Sequence, residues 1–77
     1  MKQITEEQFV DILHDTFEMS EKLHSDSELT FYIKDSIDLG ELLAALYERY
    51  AIRINPNMFR NVYTVGQALL VINSDGK

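Results

Sequence analysis

The residues best placed for chemistry are Asp35-Ser36-Ile37-Asp38. As a nucleophile of its own Ser36 is poorly equipped: no histidine lies near it in sequence, no Gly-x-Ser-x-Gly turn surrounds it, and both carboxylates oppose formation of an alkoxide. The setting suits a serine modified by another enzyme. Asp35 has Asp38 three positions on, and Asp38 has Glu41 three positions on, so either acid can cap a helix that opens here. Ser36 then falls in or beside the first turn whichever acid is the cap. Unpaired backbone N–H groups and the positive end of the helix dipole favour a phosphate at that place, which makes a hydroxyl there a sensible anchor for a phosphodiester.

The other titratable side chains offer less. Glu6, Glu7, Asp11, Asp15 and Glu18 fall on the polar side of a first helix and read as a solvated acidic row, with nothing to bring a general acid and base together in a desolvated pocket. His14 and His24 are too far apart for a local ligand pair, and no cysteine joins them. Asp11 and Asp15 flank His14, but a surface histidine on an acidic helix is the simpler description, so no metal site is assigned. No catalytic set converges, and the chain is not expected to be an enzyme.

The elements that must position Ser36 are written in apolar periodicity. Behind the serine, Ile37, Leu39, Leu42, Leu43, Leu46 and Tyr50 follow the three-and-four spacing of a helix with one side on a core. Ahead of it, Thr5-Glu6-Glu7-Gln8 is a capping box with Ile4 and Phe9 at the hydrophobic-staple positions, and Phe9, Ile12, Leu13 and Phe17 continue the stripe. From Ser20 to Lys34 the periodicity weakens, Ser25-Asp26-Ser27 reads as a turn, and Leu23, Leu29, Phe31 and Tyr32 suggest a long loop pinned onto the helices. Ala51-Ile52-Arg53-Ile54 alternates like a strand without a partner and reads as an extended link that buries Ile52 or Ile54. Pro56 suits a first helical position, and Met58 to Val62 predict one or two turns. Thr64-Val65-Gly66-Gln67 is a second capping box, opening a helix with Val65, Ala68, Leu69 and Ile72 on one face, after which Asn73 to Lys77 reads as a polar tail. The expected fold is all-α, one domain over residues 1–77: a bundle of three main helices and one short one.

Composition narrows the function classes. Seventy-seven residues leave little room for a deep enzyme cleft beside a core. Thirteen acids against seven bases give a formal net charge of -6, which argues against nucleic acid or an anionic membrane as partner and for basic protein surfaces. There is no cysteine, so any thiol the function needs must come with a prosthetic group. No apolar run approaches the ~18 residues that span a bilayer, and a soluble, cytoplasmic monomer is expected.

Asp35-Ser36-Ile37-Asp38, followed by Glu41-Leu42, Ala45-Leu46 and Tyr50, resembles the Asp-Ser-Leu attachment motif and second helix of acyl carrier proteins. The likeness runs on through Ile54, Thr64-Val65, Ala68 and Ile72 without a gap; before Phe31 it is one of pattern. It implies that Ser36 carries a 4′-phosphopantetheine arm, added from coenzyme A by a phosphopantetheinyl transferase, whose thiol holds acyl groups as thioesters. On such a carrier Asp35 and Asp38 would serve as charged handles for the transferase, and Ile37, Glu41 and Glu48 as a docking face for acyl-loading and acyl-processing enzymes; Gly40, costly inside a helix, fits a close approach of partner or arm there, or is simply a tolerated glycine near the helix start. Leu39, Leu46, Met58, Phe59, Val62, Ala68 and Leu69 are the apolar residues that would border a sheltered acyl chain, although for any one of them ordinary core is the simpler description.

Departures from the family pattern bear on the pathway. Ile33 stands where a glycine is usual and Ile37 where a leucine is; Arg49 interrupts the second helix, and Asn57, Arg60 and Asn61 occupy the third. Residues 1–21 hold six acids and one base, residues 51–77 one acid and three bases. A carrier in fatty-acid biosynthesis and a carrier for a specialised polyketide-like, aryl or aminoacyl chain are both open. From a different class comes the alternative of an unmodified helical interaction module.

Overall fold

A computed structural model describes residues 3–75. Among the described residues three α-helices follow one another: α1 (Glu6–Phe17), α2 (Ser36–Tyr50) and α3 (Val65–Asp75), with a short 3-10 helix at Pro56–Phe59. The fold is all-α, and among the described residues the one extended pairing is an isolated antiparallel bridge between Glu28 and Thr64. None of the described helices is long and apolar enough to cross a membrane.

Local chemistry sets the helix limits. The Thr5 hydroxyl accepts from the Gln8 amide at 3.1 Å while the Gln8 side chain accepts from the Thr5 amide at 2.8 Å, so α1 begins on a closed capping box. It ends where Glu18 turns left-handed (φ 51°) and donates to the His14 carbonyl. The same device ends α2: Ala51 has φ 55° and its N–H reaches the carbonyls of Leu46 and Tyr47. At α3 the Thr64 hydroxyl accepts from Gln67 at 3.2 Å and the Gln67 carboxamide accepts from Thr64, also at 3.2 Å.

Every element contributes to one core. Phe9, Ile12 and Leu13 of α1 meet Leu42 and Leu46 of α2 and Val65, Ala68 and Ile72 of α3. Ile4, Leu29, Ile52 and Phe59 fill it from the intervening segments. Ile52 is the inward residue of the 51–54 link, with Ile54 half-buried, and Leu29 anchors the long loop. Three backbone bonds tie that loop to the start of α3: Leu29 N–H to Tyr63 at 2.7 Å, Val65 N–H to Ser27 at 2.9 Å and Gly66 N–H to Ser25 at 2.9 Å. The loop thereby satisfies two amides that the start of a helix otherwise leaves open.

The structure corrects several sequence expectations. Phe31 does not help pin the loop; it is 69% exposed, and Leu29 with half-buried Leu23 and Tyr32 does that work. Pro56 does open the third helical segment, but the segment stops at Phe59 instead of running from Met58 to Val62: Asn55 caps it through the Asn57 amide, and the bonds that follow run three residues back, as from Met58 to Asn55, in a short 3-10 helix. Asn73 does not begin a tail: α3 continues to Asp75, and the Asn73 carboxamide accepts from Ile4 N–H at 2.9 Å and donates to the Ile4 carbonyl at 3.1 Å. Gly76 and Lys77, the rest of that expected tail, lie outside the described residues. His14 is half-buried rather than a plain surface residue, with Nε2 2.6 Å from the Glu21 carbonyl at the start of the loop.

Candidate functional site

Of the two acids that could cap α2, Asp35 does so. Its backbone is extended and its Oδ1 accepts from the amides of Ile37 and Asp38, each at 3.0 Å. Asp38 instead sits in the first turn and reaches back with Oδ2 to the Lys34 amide at 3.0 Å. These bonds fix the chain on both sides of Ser36, which is the first residue of α2 and exposed. Among the described residues, neither its hydroxyl nor its amide has a hydrogen-bond partner. The site is thus a free hydroxyl beside a free helix-N-terminal amide, flanked by two carboxylates. A diester phosphate on that oxygen meets opposite influences, attraction from the amide and dipole and repulsion from the carboxylates.

An attachment site needs an accessible oxygen and room for a linear substituent, and the surroundings offer both. Ile37 is 70% exposed, and Glu41 and Glu48 are exposed further along α2. A Cβ added at Gly40 would meet nothing within 4 Å, so the surface one turn from Ser36 is open. Arg49, the base that interrupts this helix, pairs with Asp15 of α1 at 3.2 Å across an exposed surface, a contact of small energetic worth.

The seven residues expected to border an acyl chain divide into groups. Leu46, Phe59 and Ala68 are buried in the core; Leu39 and Leu69 are half-buried against it. Met58 and Val62 border an open groove of about 450 Å³ between the 3-10 segment and α3. Among the described residues, no group of three or more His, Asp or Glu side chains could hold a metal ion.

Two features lay outside the sequence reading. Gly66 passes so close to the loop that an added Cβ would lie 3.0 Å from Ser25 Cβ and 3.1 Å from its carbonyl oxygen. Nothing local signals this, because the neighbour comes from a loop some forty residues earlier. On α2, Tyr47 is covered by Arg53, whose Nη2 donates to the phenol oxygen at 3.2 Å and whose guanidinium carbon lies 5.0 Å from the ring centroid. Set against protein-family models, curated proteins and solved structures, the chain finds no significant match in any of the three comparisons.

Proposed function

We propose that the chain is an acyl carrier protein whose Ser36 oxygen takes a 4′-phosphopantetheine arm from coenzyme A. The observation that carries the reading is the exposed Ser36 hydroxyl, without a hydrogen-bond partner among the described residues, at the first position of α2 in the sequence Asp35-Ser36-Ile37-Asp38. When attached, the arm supplies the thiol that this cysteine-free chain lacks, for thioester linkage to an acyl group. Asp35 holds the helix start, and with Asp38 it gives a transferase's basic surface and bound cation a charged landmark on each side of the serine. Ile37, open-sided Gly40, Glu41 and Glu48 then offer later enzymes a small apolar contact with charge guidance.

In this reading the three helices and the 3-10 segment form the acyl-carrier type of bundle, the long 18–35 connection being the loop between its first two helices. It places the protein in the cytoplasm as a monomer. The cargo is an acyl chain of fatty-acid or specialised synthesis, with an aminoacyl chain as the alternative. A second reading, an unmodified interaction module, is favoured by large apolar side chains held out to water, Phe31 and Ile37 among them. Incubation with coenzyme A and a broad-specificity phosphopantetheinyl transferase separates the two: a carrier gains one arm, its Ser36→Ala variant none, and an interaction module gains nothing.

A further inference from the structure

α3 is apolar over more of its circumference than the core covers. Ala68-Leu69-Leu70-Val71-Ile72 is an unbroken apolar run longer than one helical turn, so this part of the helix has no polar side. Ala68 and Ile72 are buried, Leu69 and Val71 are half-buried, and Leu70 is left 69% exposed. A helix apolar all round is normally covered on more than one side. Leu70 lines the open groove beside the 3-10 segment, together with Val62, Val71 and Met58, itself 43% exposed.

Charge indicates what would cover it. The rest of the lining is Arg60 and the carboxamide residues Asn57, Asn61 and Gln67, with no carboxylate, although the chain carries thirteen acids and seven bases. Arg60 has no ion-pair partner among the described residues. An apolar trough edged by an unpaired cation and carboxamides complements an apolar stripe with an acid at its margin. A second copy offers less: the stripes of its α1 and α2 are buried in its own core, Ile37 and Tyr47, the large apolar side chains that α2 leaves exposed, stand ten residues apart with Tyr47 bonded to Arg53, and Leu70 of α3 has no acid within four positions.

We propose that the groove between the 3-10 segment and α3 docks an amphipathic helix of a partner protein that sets a carboxylate beside its apolar stripe. No α2 residue lines the groove, so this face works independently of Ser36.

The test titrates the isotope-labelled full chain with two synthetic helical peptides sharing one leucine stripe, flanked by glutamates in the first and lysines in the second. The glutamate peptide is expected to shift the amides of Met58, Val62, Leu70 and Val71. The lysine peptide, or the glutamate peptide against Arg60→Glu, should bind about tenfold more weakly or worse. Leu70→Gln should weaken binding in the same way, and Ser36→Ala should leave it unchanged. Arg60 and Leu70 are exposed, and the amide spectra report whether each variant keeps the fold; Arg60→Gln replaces any Arg60→Glu that does not. Shifts centred elsewhere, equal binding of both peptides, or indifference to the Arg60 variants would overturn the proposal. So would groove amides that move with protein concentration alone, the signature of a second copy.

Discussion

Asp35 and Asp38 clasp the chain around Ser36 through backbone amides: the Asp35 carboxylate takes the Asp38 amide at 3.0 Å, and the Asp38 carboxylate takes the Lys34 amide at 3.0 Å. Helix start and free hydroxyl are therefore separable by mutation. Asp35→Ala strands two amides and should cost about 1 kcal/mol, whereas Asp35→Asn retains an acceptor and should cost less. Ser36→Ala leaves both clasping bonds intact and should stay within about 0.5 kcal/mol of the parent. Urea denaturation of the four proteins checks the order; a Ser36→Ala loss as large as that of Asp35→Ala would mean that the serine, too, holds the helix start.

Gly40 and Gly66 both lie in helices but face different surroundings. Alanine at Gly40 enters open space and should stabilise by about 1 kcal/mol through helix propensity alone. Alanine at Gly66 must push back the Ser25 backbone that its own N–H holds at 2.9 Å, so it should stabilise less than Gly40→Ala, or destabilise. Equal gains in thermal midpoint would show that the loop yields freely at Ser25.

Asn73 joins the two ends of the described chain through its paired hydrogen bonds to Ile4. Asn73→Ala removes both and should cost about 1–3 kcal/mol. Exchange of the Ile4 amide with deuterium should quicken more than that of Leu46 in the same variant. Unchanged exchange at Ile4 would mean that the pair does not persist in solution.

Tyr47 and Tyr32 should titrate apart. The hydrogen bond from Arg53 and then its charge favour the Tyr47 phenolate and hold its pKa below the ordinary tyrosine value. Tyr32 donates to Glu21 Oε2 at 2.7 Å, a bond only the protonated phenol can make; with burial and the carboxylate charge adding to it, its pKa is raised. Followed by tyrosinate absorbance, Arg53→Ala should move one transition to higher pH and Glu21→Ala another to lower pH. Opposite movements would reverse the assigned causes.

The helix starts were legible because capping is local: Thr5 with Gln8 and Thr64 with Gln67 bond as their spacing announces. The choice between Asp35 and Asp38 was not, since both spacings permit a cap and the backbone entering from Lys34 decides. Long-range contacts left no local mark either. Asn73 reads as tail until its partner at Ile4 is known, and Gly66 reads as a cap-box filler until the Ser25 loop is laid against it. The exposed serine at the mouth of α2 followed from periodicity and the flanking acids. Which apolar residues fill the core and which, like Leu70, are left outside depends on how α3 turns against its neighbours, and a stripe apolar on every side does not encode that.

Whether Ser36 carries a tethered thiol is read from intact mass after incubation with coenzyme A and a broad-specificity phosphopantetheinyl transferase. A gain of a single phosphopantetheine is expected, mapped to the peptide holding Ser36 and absent in Ser36→Ala. No gain under conditions that fully modify a control carrier, or a gain that survives Ser36→Ala, would contradict it.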